Sequence, residues 1–345
     1  MPDTLPPEVH AERAGLRYVS DDQPGLRRVG RGKGFSYHEP DGALISDADE
    51  RARIDALAIP PAWDEVWICP RADGHLQATG RDARGRKQYR YHADWTAHRN
   101  RVKFDRMVPF AEALPGIRSR IESDLRARTL SRDKVVALAV RVMDETLIRI
   151  GNAEYADANG TFGLTTLRDR HVSFSGDEVR FSFVGKSGKE HELALRDRAL
   201  ARLVRACRDI PGYTLFQYYT DGGKAAIGSG DVNDYLREAT GEAFTAKDFR
   251  TWGGTVLAAE ALVECHEAHA DDPDAAVVAC IKHVAAGLGN TEAVCRKYYV
   301  HPDVLDAYRE GELVARMKRR HRGNTPAGLR PAEAAVRDLL GDALG

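Results

Sequence analysis

Tyr298 and Tyr299 stand side by side behind a basic pair, Arg296-Lys297, and Asn290 lies nine residues before Tyr299. A tyrosine hydroxyl is a weak nucleophile, because its unperturbed pKa is about 10. It attacks only where cations or a general base surround it. Other cations could supply that setting: Arg149, Lys186 and Arg250. Taken singly each has a plainer reading. Arg149 reads as a surface charge near the end of a helix, Lys186 as an exposed turn lysine, and the tyrosines as packing residues. The elements that carry them therefore have to be read first.

Ser131-Arg-Asp-Lys134 opens the clearest helix in the chain. Val135, Leu138, Ala139, Val142, Met143, Thr146, Leu147 and Ile150 fall on one stripe at i, i+3, i+4 spacing. Gly151 is the expected terminator, with Arg149 off the stripe. Upstream, Phe104 to Leu114 and Ile117 to Arg126 read as two helices split by Pro115-Gly116. Between Thr165 and Leu195 the period changes to two. Segments 171–174, 179–184 and 191–195 form a small antiparallel sheet, with Lys186 at a hairpin tip. The rest is expected to be helical to the end. Thr245-Ala-Lys-Asp248 resembles a capping box, placing Arg250 in the first turn of its helix. Gly287 and Gly289 break a helix before Asn290. Glu264-Cys-His-Glu-Ala-His269 looks metal-like but reads as a solvated helix end. The tail is basic from Arg316 to Arg322, then carries a short amphipathic helix near Ala332 to Leu340.

The N-terminal part has a different character. After a polar lead-in (residues 1–20), Leu26 to Tyr37 is a basic, glycine-rich hairpin. A short helix (Ala48 to Leu57) and strands at 66–69 and 75–79 follow. Arg81, Arg84, Arg86, Lys87 and Arg90 then crowd a turn and strand, interleaved with Gln88, Tyr89 and Tyr91. Strand spacing puts both tyrosine rings on one face. Cations mixed with aromatics and an amide suit a surface that grips phosphates and touches base edges. Balancing acids are nearly absent from the segment, so duplex DNA is the expected partner there.

At 345 residues and net charge −1, the chain has room for two domains, and its whole-chain charge neither favours nor disfavours nucleic acid. The expected division is a β-rich DNA-clamping domain at 1–95 and a mainly helical catalytic domain at 96–345, an α+β fold. The five cysteines are widely spaced and form no C-x-x-C, which reads as reduced thiols with neither zinc nor disulfides. No apolar run reaches membrane-spanning length, and the N-terminus has no signal-like apolar stretch. The expectation is a cytoplasmic, nucleoid-associated protein with no membrane partner.

Arg149, Lys186, Arg250, Asn290 and Tyr299, in this order on these elements, resemble the active site of type IB DNA topoisomerases of the poxvirus and bacterial branch. Leu147-Ile-Arg-Ile-Gly151, Phe183-Val-Gly-Lys-Ser-Gly-Lys189, Lys247-Asp-Phe-Arg-Thr-Trp-Gly253, Leu288-Gly-Asn-Thr291 and Lys297-Tyr-Tyr-Val300 are similar to that family's motifs. The segment Gly80 to Tyr91 matches the branch's small N-terminal domain. The poxvirus enzymes carry histidine where this chain has Asn290.

The resemblance implies a chemistry. Two arginines grip the non-bridging phosphate oxygens, Tyr299 attacks phosphorus, and Lys186 protonates the leaving 5′ oxygen. A 3′-phosphotyrosyl link would then hold one end while the strand swivels and reseals, without ATP, metal or other cofactor, in a monomer clamping DNA. Asn290 would orient a phosphate oxygen. Nine residues of straight helix would separate Asn290 from Tyr299 by roughly 13 Å, so a bend, loop or mobile Tyr299 is expected. The alternatives are a tyrosine recombinase or integrase, disfavoured by Lys247 where those enzymes usually carry histidine, and a non-catalytic DNA-binding protein.

Overall fold

The computed structural model describes residues 5–32, 34–322 and 325–344. Residues 1–4 of the polar lead-in and Lys33 of the glycine-rich stretch lie outside them. The chain forms two compact units, Met1–Lys103 and Phe104–Gly345.

In the first unit α1 (Pro7–Arg13) precedes a hairpin of β1 (Leu26–Arg31) and β2 (Gly34–His38). Then come α2 (Ala48–Ala56), β3 (Asp64–Ile68), β4 (Leu76–Arg81), β5 (Lys87–Tyr91) and α3 (Ala93–Asp105). The strands make one sheet in the order β2-β1-β3-β4-β5, with every pair antiparallel. Leu26, Ile54, Ile68 and Ala78 form its core, and β4 is buried along nearly its whole length. Alternation along β5 leaves Lys87, Tyr89 and Tyr91 exposed and turns Gln88 and Arg90 to the other face.

The second unit begins with α4 (Met107–Leu125), one continuous helix where two were expected. Met107, Phe110, Ala111, Leu114, Ile117 and Ile121 make an unbroken buried stripe across Pro115. Burial of that stripe outweighs a proline cost of about 3 kcal/mol. Next is α5 (Arg132–Thr146), capped by Ser131 through the Lys134 N–H. It stops earlier than Gly151: Leu147 takes the left-handed conformation (φ 54°) and its N–H bonds the Met143 carbonyl at 2.8 Å.

After α6 (Ala153–Asn159), β6 (Val172–Ser175), β7 (Glu178–Val184) and β8 (Glu190–Arg196) form the expected antiparallel sheet. Helix α7 (Arg198–Arg208) leads to a further hairpin, β9 (Gln217–Thr220) and β10 (Gly223–Ala226), where only helix was expected. Its strands are too short to show a period of two. Helices α8 (Ser229–Thr240), α9 (Ala246–Cys265), α10 (Pro273–Leu288), α11 (Glu292–Tyr298), α12 (Pro302–Arg309), α13 (Glu312–Arg322) and α14 (Pro331–Leu344) complete the chain.

The tail helix α14 belongs to the core, burying Ala332, Ala335, Val336, Leu339 and Leu340. Arg118 of α4 donates to Asp144 of α5 at 2.9 Å and to Glu333 of α14 at 2.7 Å. Both carboxylates are almost fully buried, so this fork clamps three helices together.

Candidate active site

The early end of α5 matters for Arg149, which stands in the irregular segment beyond the helix rather than on it. That segment is held by the loop after α6. Leu164 and Thr165 donate their N–H groups to the carbonyls of Arg149 (2.7 Å) and Ile150 (2.8 Å). The loop can approach because Gly163 has no side chain; a Cβ there would lie 2.6 Å from the Arg149 carbonyl oxygen.

Helix α9 starts as its sequence directs. Thr245 accepts from the Lys247 N–H, and Asp248 accepts from the Thr245 N–H at 2.8 Å. Arg250 is the fifth residue of the helix, just past the first turn, and only 5% exposed. Its guanidinium donates to the Leu147 carbonyl, the last turn of α5, and to the Leu288 carbonyl of α10 at 3.0 Å. Burial, then the charge of Arg149, push its pKa down, while nearby Tyr299 works the other way. A guanidinium stays protonated through such a shift.

Asn290 lies in the turn between α10 and α11. Gly289 caps α10 in the left-handed region (φ 60°), and the Asn290 N–H bonds the Ala285 carbonyl at 2.9 Å. Gly287 sits inside α10 rather than ending it. The Asn290 amide oxygen accepts from Arg149, so the two residues form one unit. No straight helix joins Asn290 to Tyr299, because α11 begins at Glu292 and ends at Tyr298. Tyr299 caps α11, its N–H bonding the Cys295 carbonyl at 2.9 Å. Its ring centre lies 5.2 Å from the Arg250 guanidinium carbon.

Arg149, Lys186, Lys247, Arg250, Tyr155 and Tyr299 line one cavity of about 410 Å³, and no carboxylate lines it. Tyr298 does not line it, and Asn290 stands behind Arg149. Four cations gathered without an acid repel one another, so the cavity favours an anion. Lys186 opens the turn between β7 and β8, exposed, just after Gly185.

Lys247, which the motif carried without a role, lines the cavity beside Arg250. Two further residues of this region lie outside every motif. Thr255, fully buried on α9, donates to the Tyr299 carbonyl at 3.1 Å and accepts the His301 N–H at 3.0 Å. His191 stacks on Phe183, with ring centres 5.0 Å apart. Burial, with Arg149 and Arg250 nearby, pushes its pKa below the usual histidine value. The signal for His191 was present: it occupies an inward position of β8 in line with Leu193 and Leu195.

In the first unit, the residues expected to face DNA divide into groups. Tyr89 and Tyr91 stack in parallel, 5.9 Å apart, on the exposed face of β5. Lys87 shares that face but pairs with Asp21 at 2.6 Å. Arg81 pairs with Glu65 (2.7 Å), while Arg86 and Gln88 both donate to Asp82 (2.8 and 3.0 Å). Arg86 and the turn's backbone hold the Asp82 carboxyl down at about 2. Arg90 donates to the Ala58 carbonyl on the opposite face, and Arg84 is exposed in the turn. The balancing acids are thus present after all. Asp21 and Glu65 come from distant sequence, which a local reading of the segment misses.

The metal-like Glu264-to-His269 stretch spans the end of α9 and a 3-10 turn, and no group of three or more metal-type ligands occurs among the described residues. No helix of the described residues is long and apolar enough to cross a membrane.

Comparison with known proteins bears on identity. Residues 92–322 match the family described as eukaryotic DNA topoisomerase I, catalytic core, and residues 34–82 match the bacterial DNA topoisomerase IB N-terminal domain. A DNA topoisomerase 1B of Acanthamoeba polyphaga mimivirus is 30% identical over 295 residues, covering 82% of this chain and 87% of that protein. The DNA topoisomerase 1B of vaccinia virus is 32% identical over 144 residues, covering 41% of this chain and 43% of that protein. A solved XerH site-specific recombinase structure overlays with a TM-score of 0.36 and 14% identity, covering 57% of this chain and 50% of that one, too little to bear on the choice. The two family matches and the near full-length viral relative agree: the chain belongs to the type IB DNA topoisomerases.

Proposed function

We propose that this type IB DNA topoisomerase relaxes supercoiled duplex DNA by transient cleavage of one strand, with Tyr299 as nucleophile. The observation that carries the mechanism is the acid-free cavity shared by Arg149, Lys186, Arg250 and Tyr299. A phosphodiester entering it meets two guanidiniums that match its non-bridging oxygens and offset the charge built up in the transition state. The Tyr299 phenol oxygen attacks phosphorus in line with the leaving oxygen. The P–O bond to Tyr299 forms as the P–O5′ bond breaks, and the phenol proton passes to solvent. The electron pair stays on O5′, which takes a proton from the Lys186 ammonium. One phosphodiester replaces another, so bond energy is conserved and resealing is the same step reversed. ATP and metal have no part in this scheme. Asn290 holds Arg149 in place through the bond it accepts.

Duplex DNA is gripped by a single chain. The stacked pair Tyr89 and Tyr91 with Lys87 offers the first unit's contact, and Arg81, Arg84 and Arg86 supply phosphate contacts around the turn. Gln88 and Arg90 support that surface from behind through Asp82 and Ala58. The test is relaxation of supercoiled plasmid in EDTA without ATP, run beside Tyr299→Phe. Relaxation by the wild type alone is expected. Relaxation by Tyr299→Phe, or a requirement for metal, would overturn the mechanism.

A further inference from the structure

We propose that His191 is a positioning residue of this site, its imidazole acting as a wedge that sets the Lys186 turn against the Asn290 turn. The inference rests on the roles given above to Lys186 and Arg149–Asn290. Two glycines carry it: Gly185 immediately precedes Lys186, and Gly289 immediately precedes Asn290. A Cβ on Gly185 would lie 2.7 Å from His191 Cδ2 and Nε2. A Cβ on Gly289 would overlap His191 Cε1 and lie 2.8 Å from Nε2.

Gly289 has a second reason to be glycine, its positive φ of 60°. Gly185 has none. At φ −94° and ψ −168° its backbone suits any residue, so the imidazole alone excludes a side chain there. The ring is therefore packed against both turns at once, and Phe183 backs it with nearly parallel planes 9° apart. A tightly packed contact of this kind transmits position, because interiors do not deform continuously. Lys186 is an exposed residue on a turn whose Ser187 sits at φ 65°. The wedge beneath Gly185 is what fixes where such a turn stands relative to Arg149 and Asn290.

The test uses single-turnover cleavage of a duplex carrying a mapped cleavage site. It is made with the natural 5′ oxygen and with sulfur in the bridging 5′ position. A thiol of pKa about 8.5 leaves without a proton donor, whereas an alkoxide does not. His191→Ala is expected to cleave the oxygen substrate about 10- to 100-fold more slowly. That deficit should shrink about tenfold on the sulfur substrate, as it should for Lys186→Ala, with DNA affinity held within about twofold.

Gly185→Ala should show the same defect, because its methyl meets the imidazole. The double variant Gly185→Ala/His191→Ala should be no slower than His191→Ala, because the clash is gone. Wild-type cleavage by both single variants overturns the proposal, as does strict additivity in the double variant. An equal deficit of His191→Ala on oxygen and sulfur, beside a Lys186→Ala deficit that shrinks, also overturns it. Should Lys186→Ala lose equally on both substrates, the general-acid role of Lys186 falls instead. The wedge is then judged by the double variant alone.

Discussion

Thr255→Val is the substitution that best separates the scaffold of this site from its chemistry. Valine matches threonine in shape, so the change deletes a hydroxyl and leaves the packing of α9 intact. That hydroxyl donates to the Tyr299 carbonyl at 3.1 Å and accepts the His301 N–H at 3.0 Å, in a side chain with no exposure. Two hydrogen bonds at about 1 kcal/mol each predict a loss of about 2 kcal/mol. The functional loss should be larger. Gly254 already lets the Tyr299 backbone lie against α9, a Cβ there falling 2.9 Å from the Tyr299 carbonyl oxygen. With the hydroxyl gone, that backbone loses its tether and the phenol shifts relative to Arg250. A displacement of about 1 Å costs about 100-fold in a reaction that depends on alignment.

The assay is single-turnover cleavage together with DNA affinity and a urea unfolding curve for Thr255→Val and Thr255→Ser. Cleavage by the valine variant should fall about 10- to 100-fold, with affinity within about twofold, and serine should restore both rate and stability. Wild-type cleavage by a destabilised valine variant would show that Thr255 does not set the position of Tyr299. Undiminished stability would refute the energetic argument itself.

Lys87→Ala should weaken DNA binding and lower the slope of log affinity against log salt by about 1, whereas an unchanged slope would remove Lys87 from the phosphate contacts. Arg118→Met takes the close guanidinium from buried Asp144 and Glu333 and leaves them the more distant one of Arg330, at 3.9 and 3.8 Å. It should cost about 3–5 kcal/mol by urea unfolding, and a loss under about 1 kcal/mol would mean that the fork is not what holds α14. Acid should destabilise the fold through buried imidazoles. His75 and His171 accept the N–H groups of Val19 and Arg168 at 3.1 and 3.0 Å, which requires the neutral ring, and burial lowers the pKa of each. With the folded pKa below the unfolded value of about 6.5, the unfolded chain binds more protons. Stability present above about pH 6.5 is therefore lost as pH falls towards the folded values, and an unfolding midpoint equal at pH 7.5 and 5.5 would contradict this.

Much of the architecture was legible from local signals. The cap at Ser131, the stripe beginning at Val135, the box at Thr245 and Asp248 and the alternation around Lys186 each act within a few residues. Short-range physics suffices there, and the order of Arg149, Lys186, Arg250, Asn290 and Tyr299 is itself a property of the chain. What failed was decided by partners far away. Pro115 stays inside α4 because the core on either side buries one continuous stripe. Helix α5 ends at Leu147, not Gly151, and the Leu147 carbonyl meets the Arg250 guanidinium a hundred residues on. The cations near β5 looked unbalanced because Glu65 of β3 and Asp21 of the turn before β1 reach them only in the folded chain.

The sequence by itself determined which residue types were available for the reaction and which elements would carry them, since caps, periodicity and turn residues are local. Only the tertiary structure placed four cations and two tyrosines around one acid-free cavity, set Asn290 behind Arg149, and put His191 and Thr255 beneath the turns that bear Lys186 and Tyr299. The reason is that the field in the cavity and the close contacts beneath it are sums over segments distant in the chain, and no local window contains those sums.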